Sequence, residues 1–149
     1  MNIEEEYDKI FRFCCWKVHN TEIAEDLTQE TFLRFLDSNY VEQGKRIHYL
    51  YTIAKNLCID EIRQHNHKEI TEEIPDTRAE NDLMTGVYLR QLLDQLSEED
   101  LELVIMRYLN MESMEDISKI LNISRFALYR KLRRIKKKLG SVQEEIHED

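Results

Sequence analysis

Helical periodicity, almost uninterrupted by helix breakers, is the feature that most constrains how this chain can fold. Glycine occurs 3 times and proline once in 149 residues, and glutamate, lysine, leucine and arginine are abundant. Such a composition favours helices over a sandwich, a barrel or a disordered chain. We therefore expect an all-α protein with apolar residues at three- and four-residue spacing on the buried faces. The predicted helices are 3–19, 22–37, 46–65, 83–95, 98–109, 114–121 and 125–139.

Four hydroxyl residues mark helix starts. Ser97 and Ser113 each precede a carboxylate by three residues, which is a capping-box arrangement. Thr21 and Ser124 are further candidates, because a hydroxyl can accept a hydrogen bond from the free amides of a helix's first turn. These signals support the predicted starts of four of the helices.

One stretch, Gln64–Asp82, does not fit the helical pattern. It contains Pro75, the single proline, and few large apolar residues. These features are typical of a flexible linker. The chain is therefore expected to form two small helical lobes, 1–66 and 83–149, joined by a linker at 67–82, and each lobe can bury only a modest core.

The positive charge of the chain is concentrated in one segment. The formal net charge is −9, which excludes DNA binding by bulk charge alone. Residues 124–139 nevertheless carry 8 basic and no acidic side chains. A solvated basic helix end would complement the helix dipole, but so many like charges repel one another without a polyanion. The segment therefore indicates a local nucleic-acid contact.

Residues 114–139 have the pattern of a helix-turn-helix. A short amphipathic helix is followed by a turn at Asn122–Ser124 and by the basic helix, whose buried stripe contains Leu128, Leu132 and Ile135. The second helix of such a motif enters the major groove of DNA. The side chains expected to contact DNA are Ser124, Arg125, Phe126, Tyr129, Arg130, Arg133 and Lys136.

A second candidate surface lies on the predicted helix 22–37. Asp26, Gln29, Glu30 and Leu33 share the face opposite the apolar one, because residues three and four apart are neighbours on a helix. An acidic face with an exposed leucine is a plausible protein-docking surface. Periodicity alone favours the alternative, an ordinary solvated face of an amphipathic helix.

No pattern in the chain predicts catalysis, a metal or a cofactor. The three cysteines, Cys14, Cys15 and Cys58, are an odd number without paired zinc spacing, so we expect reduced thiols in a cytoplasmic protein. No apolar run is long enough to insert into a membrane, and the acidic first residues do not resemble a secretory signal. No nucleophile–base pair or phosphate-binding glycine loop is recognisable.

Three segments resemble bacterial sigma factors. AEDLTQETFLRF (24–35) resembles their polymerase-binding segment, and YLYTIAKNLCIDEIRQ (49–64) is similar to their promoter-melting helix. LDQLSEEDLELVIMRYLNMESMEDISKILNIS (93–124) is similar to their C-terminal DNA-binding region. The segments occur in the family's order and cover nearly the whole chain. The chain is thus identified as a member of the extracytoplasmic-function (ECF) group of the sigma-70 family.

The resemblance implies roles for the N-terminal lobe, 1–66, as sigma region 2. Asp26, Gln29, Glu30 and Leu33 would dock on the clamp helices of core RNA polymerase. The loop 37–46 and the exposed side of the next helix would recognise and melt the −10 promoter element. For Tyr40 and Tyr49, packing against the lobe is an equally good explanation. The candidate residues are Asn39, Tyr40, Lys45, Arg46, Tyr49, Lys55 and Asn56.

The resemblance implies that residues 83–149 correspond to sigma region 4, whose helix-turn-helix would bind the −35 promoter element. The acidic linker would pass through a basic channel of the polymerase, although ordinary solvated charge explains its composition equally well. This sequence departs from the family where Tyr49 replaces a tryptophan, Asn122 a glycine, and Ala127–Leu128 a Thr–Val pair. The last change lies in the recognition helix, so the family's pattern does not predict the promoter sequence.

The expected partners are core RNA polymerase and promoter DNA, with an anti-sigma factor as a further candidate because many relatives are controlled by one. We expect no cofactor, no membrane insertion and a monomer when the protein is free. A conventional helix-turn-helix repressor or activator is the alternative. It would have no need of the face formed by Asp26, Gln29 and Glu30.

Overall fold

The computed structural model describes residues 2–38, 45–65 and 90–146, with side chains up to residue 140. The chain divides into two compact units between Pro75 and Asp76. Every regular element in the described ranges is a helix, which confirms the all-α prediction. The linker predicted at 67–82 lies outside the described residues, so the boundaries of the two lobes stay a prediction.

The described residues of the first unit form three helices. They are α1 (Ile3–Val18), α2 (Thr21–Asp37) and α3 (Arg46–His65). Asparagine side chains begin two of them, because Asn2 accepts a hydrogen bond from the amide of Glu5 and Asn20 accepts one from the amide of Ile23. The predicted cap at Thr21 is therefore displaced by one residue, since Asn20 can make the same bond and stands in an extended conformation.

Aromatic and aliphatic side chains join the three helices around one core. Ile10, Phe13, Leu50 and Tyr51 are fully buried. The rings of Phe13 and Tyr51 meet edge to face with centroids 5.5 Å apart, a favourable geometry for aromatic pairs. α3 is thus fixed against α1, which determines which side of α3 faces solvent.

The second unit contains the remaining helices. The described part of α4 is 90–93, α5 spans Glu98–Val104 and runs into a π-helical turn at Ile105–Leu109, and α6 and α7 span Met114–Leu121 and Arg125–Ile146. The predicted caps at the starts of α5, α6 and α7 are present. Ser97, Ser113 and Ser124 accept bonds from the amides three residues on, at 3.2, 3.0 and 3.1 Å.

The predicted helix 98–109 changes its winding halfway. In its second half the amide of Asn110 donates to the carbonyl of Ile105 at 2.8 Å, and the amide of Glu112 donates to Met106 at 2.8 Å. Between them Met111 has a left-handed φ of 58°. The spacing of apolar residues does not distinguish a single π-helical turn from an α-helix. The sequence therefore predicted one continuous helix here.

α6 and α7 form the predicted helix-turn-helix. Asn122 ends α6 with a φ of 57°, the left-handed conformation that asparagine adopts more readily than most residues. The amide of Ile123 then donates to the carbonyl of Ser118. Ile117 and Leu128 are fully buried and connect the two helices to the core of this unit.

The C-terminal boundary of α7 was predicted wrongly. The helix continues past residue 139 to Ile146, because a single glycine at 140 weakens a helix without ending it. Gly140 does not adopt the left-handed conformation of a helix stop.

Replacing Gly140 by alanine should stabilise the second unit. A methyl group at Gly140 would meet no atom within 4 Å, and alanine restricts the unfolded chain more than glycine does. We expect a gain of up to about 1 kcal/mol in the free energy of unfolding, measured by circular dichroism during thermal unfolding. Gly140→Pro is the control and should lower helicity; equal melting of Gly140→Ala and wild type would contradict this account of α7.

Candidate nucleic-acid and protein interfaces

The face of α2 predicted for docking points away from the core. Asp26 and Gln29 are exposed, Glu30 is half-exposed, and Leu33 is 61% exposed. The opposite side of the helix is buried at Ala24, Thr28, Thr31 and Phe35. The structure thus brings all four predicted residues together on one accessible surface, which we call the α2 face.

Behind this face, the buried hydroxyls of α2 are satisfied within the helix and an aromatic contact joins it to α1. The hydroxyls of Thr28 and Thr31 donate to the carbonyls of Ala24 and Leu27, both at 2.7 Å. The ring of Phe32 stacks on Tyr7 of α1 with centroids 5.6 Å apart. The two hydrogen bonds satisfy the buried hydroxyls, and the ring contact, together with the buried side of α2, holds the helix against the lobe, so the exposed side chains project from a fixed support.

The structure adds Leu36 to the α2 face. This side chain is 74% exposed and lies three residues beyond Leu33 on the same side of the helix. Two exposed leucines one turn apart form an apolar area beside the acidic residues, and such an area is unfavourable unless a partner covers it. The spacing from Leu33 was the signal in the sequence that could have identified Leu36.

α3 presents a polar side to solvent. Thr52 and Asn56 are exposed, Lys55 is half-buried, and Tyr49 is 42% exposed. The inner side packs into the core, with Leu50, Ala54, Leu57 and Cys58 buried. Three of the four described candidates on α3 therefore lie on or at the edge of one accessible surface, and they are Tyr49, Lys55 and Asn56.

The start of α3 carries two more predicted residues, Lys45 and Arg46. Lys45 is exposed. The Nε of Arg46 donates to both carboxylate oxygens of Glu6 in α1, at 2.9 and 3.1 Å, a partner that sequence reasoning did not identify. The remaining candidates of this group, Asn39 and Tyr40, lie outside the described residues.

α7 exposes every residue predicted to contact DNA. Leu128, Leu132 and Ile135 are buried, and the other side of the helix faces solvent. Those exposed residues are Ser124, Arg125, Phe126, Tyr129, Arg130, Arg133 and Lys136. The exposed part of the helix combines a row of cations with two aromatic rings, which suits contact with phosphates and with base edges or methyl groups.

Neighbouring groups orient several of the cations on α7. Glu115 of α6 lies 3.8 Å from the guanidinium of Arg125. The guanidinium carbon of Arg130 lies over the Phe126 ring, 5.5 Å from its centroid, within the range of a cation–π contact. Arg134, which was not singled out from the sequence, lies 3.5 Å from the buried Asp100 of α5.

Neither a metal site nor a membrane span is found in the described ranges. Histidine, cysteine and acidic side chains there do not form a group of three that could hold a metal ion. The three cysteines are buried and form no disulfide. Among the described helices, none combines the length and apolar character that crossing a membrane requires.

Comparison with known protein families finds two matches that follow the two lobes. Residues 3–68 match the model of Sigma-70 region 2, and residues 86–139 match that of Sigma-70, region 4. The first match contains α1–α3 with the α2 face. The second contains the helix-turn-helix.

Curated sequences are similar over most of the chain. The ECF RNA polymerase sigma factor SigM of Bacillus subtilis is 27% identical, over 91% of this chain and 94% of its own length. The RNA polymerase sigma factor CarQ of Myxococcus xanthus is 29% identical, over 90% and 84%.

Two solved structures share the fold. The sigma factor RpoE in complex with the anti-sigma factor NepR from Bartonella quintana aligns with a TM-score of 0.72 at 19% identity, over 97% of this chain and 93% of that one. CnrH in complex with the cytosolic domain of CnrY aligns at 0.71 and 14% identity, over 93% and 82%.

Proposed function

The chain belongs to the ECF group of the sigma-70 family and is a sigma factor that directs promoter-specific transcription initiation; from this premise we propose which of its surfaces does which part of that work. The α2 face, with Asp26, Gln29, Glu30 and Leu33, binds core RNA polymerase. Its exposure on a helix whose other side is fully packed is the observation that carries this proposal. Leu36 extends the contact with apolar area.

The outer side of α3 handles the melted −10 element. Tyr49 offers an exposed ring for stacking on an unpaired base, and Asn56 offers an amide that can bond to a base edge. Lys45 and Lys55 supply positive charge for the phosphates. Asn39 and Tyr40 belong to the same proposed set on the basis of the family resemblance.

α7 binds the −35 element in the major groove. The first turns of the helix, with Arg125, Phe126, Tyr129 and Arg130, would meet base edges. Arg133 and Lys136 follow on the same exposed side and would bind phosphates, a contact that positions the protein without reading sequence. Ser124 caps the start of α7 and lies at the edge of this surface.

Members of this family act as non-enzymatic initiation factors, and we propose that this chain likewise catalyses nothing by itself. Its partners would be core polymerase and promoter DNA in the cytoplasm. The solved relatives named above are complexes with NepR and with CnrY. An anti-sigma factor of this chain would accordingly cover the α2 face or the DNA-binding faces.

Charge reversal on the α2 face should abolish binding to core polymerase. In Asp26→Lys/Gln29→Lys/Glu30→Lys three central contacts become repulsive at once, so we expect at least about a hundredfold loss of affinity. The measurement is co-elution with sigma-free core polymerase, followed by titration.

The matched control places the same change in net charge on exposed positions of α1, as Glu4→Lys/Glu5→Lys/Asp8→Gln. This control should co-elute like the wild type. If the wild type binds no core polymerase although folded and free of an inhibitor, the α2 face has another use, and a conventional DNA-binding regulator becomes the better interpretation. If control and test variants lose affinity equally, bulk charge and not the α2 face governs binding.

A further inference from the structure

A nearly buried carboxylate joins the beginnings of α1 and α3. Glu6 is 4% exposed, and both of its oxygens accept hydrogen bonds from the Nε of Arg46, a residue 40 positions away in the sequence. The side chain of Arg46 itself stays 41% exposed. The pair is therefore a tertiary contact at the rim of the lobe, with its acidic half inside and its basic half reaching the surface.

Local helix energetics do not explain an arginine at this place. Arg46 is the first residue of α3, and no acidic residue is present in that first turn. A cation at the amino end of a helix is disfavoured by the helix dipole. Conversely, a carboxylate as buried as Glu6 is unfavourable unless a cation pairs with it. The two residues thus offset each other's unfavourable positions only when α1 and α3 are held together.

The pair fixes the part of α3 that faces the melted strand in the proposed function. Lys45 directly precedes Arg46, and the amide of His48 donates to the carbonyl of Lys45 at 3.0 Å. Tyr49 follows three residues after Arg46, so it lies on the adjacent turn of the same side. A shift in the first turn of α3 would therefore displace both Lys45 and Tyr49.

We propose that Glu6 is a positioning residue for promoter melting, which acts by holding Arg46 and with it the first turn of α3 in the orientation that the melted strand requires. This inference rests on the proposed role of α3. It assigns Arg46 a structural partner inside the protein in place of a direct contact with DNA. Preorganised side chains bind an unpaired strand with less loss of entropy than mobile ones.

The test uses holoenzyme formed from the full chain and sigma-free core polymerase, on a promoter identified by run-off transcription with the wild type. Glu6→Gln keeps the shape of the side chain and removes its charge. We expect strand opening, followed by 2-aminopurine fluorescence in the −10 element, to slow by about tenfold to a hundredfold. Affinity for core polymerase should stay within about twofold, because Glu6 lies outside the α2 face.

Two further variants separate positioning from general stability. The exchange Glu6→Arg/Arg46→Glu restores an ion pair with reversed direction and should return most of the lost opening rate. Glu5→Gln, at an exposed neighbouring position, should open the promoter at the wild-type rate.

The positioning role is overturned if Glu6→Gln opens the promoter normally, or if opening, core affinity and thermal stability fall together. A double exchange that folds but does not restore opening overturns it as well. These results would leave the proposed function intact. A wild-type chain that binds no core polymerase would instead overturn the proposed function itself.

Discussion

Replacing Tyr51 by alanine is expected to destabilise the N-terminal lobe strongly. Tyr51 is fully buried in α3 and its ring meets Phe13 of α1 edge to face. Truncating an aromatic side chain at such a position costs about 3–5 kcal/mol. A lobe of about 65 residues has a total stability of only about 3–10 kcal/mol. The loss is therefore between about a third and the whole of the stability of this lobe.

Trp16 provides the measurement. It is the only tryptophan of the chain and is buried in α1, so its fluorescence reports on this lobe and not on the helix-turn-helix. With a urea dependence of about 1 kcal/mol per molar for so small a unit, the unfolding midpoint should fall by about 3 M or more. Co-elution with core polymerase should disappear in parallel, because the α2 face depends on the same packing.

Tyr51→Phe is the matched control, since it keeps the ring and removes only the hydroxyl. Its cost should stay below about 1.5 kcal/mol, because the ring keeps its volume and its edge-to-face contact with Phe13. A midpoint for Tyr51→Ala within about 0.5 M of the wild type would contradict the placement of this ring at the centre of the lobe.

The helical class, the family and the promoter-directing function were all predictable from the sequence, for different physical reasons. Helix periodicity and capping residues are local signals, and the caps at Ser97 and Ser113 were identified correctly. Function required whole segments, since the periodicity of α2 alone favours an ordinary solvated face. The order of the segments along the chain identified the family, which the two family matches confirm, and the role of the α2 face itself stays a prediction.

The structure differs from the prediction where two local signals compete or where tertiary contacts determine the local conformation. Asn20 and Thr21 are adjacent and both can cap a helix, so the sequence did not distinguish them. The π-helical turn at Ile105–Leu109 depends on carbonyl partners five and six residues away, which the spacing of apolar residues does not encode. α7 passes Gly140 because one glycine costs less than the helical bonds that follow it.

The partner of Arg46 was likewise not predictable from local sequence, here at a candidate site. Glu6 lies 40 positions away, and the sequence around Arg46 gives no sign of it. A basic residue beside a proposed DNA-binding loop therefore suggested a DNA contact. Only the packing of α1 on α3 reveals that this guanidinium binds a carboxylate within the lobe. The roles of the individual candidate residues on α2, α3 and α7 stay predictions.

Replacing both Arg125 and Arg130 by alanine is expected to abolish selective binding to the −35 element. Both side chains are exposed on the first turns of α7, and Glu115 and the Phe126 ring hold them in place. A guanidinium that bonds a guanine edge in bidentate fashion contributes about 1–3 kcal/mol of discrimination. If both arginines act in this way, affinity for the promoter should fall by roughly 30-fold to 10⁴-fold.

Salt dependence and a lysine variant distinguish the contribution of contacts with base edges from that of charge contacts with the phosphates. Arg125→Lys/Arg130→Lys keeps both charges but lacks the bidentate geometry, so it should lose selectivity while its affinity for unrelated duplex DNA is unchanged. Lys136→Ala/Lys137→Ala should weaken binding to all sequences alike and reduce the slope of log K against log salt by about 0.9 for each phosphate that is no longer neutralised. The measurement is titration of the holoenzyme on promoter and scrambled duplexes at several salt concentrations. Equal reductions of affinity on the two duplexes for the alanine pair would show that Arg125 and Arg130 bind the backbone and that other residues of α7 read the sequence.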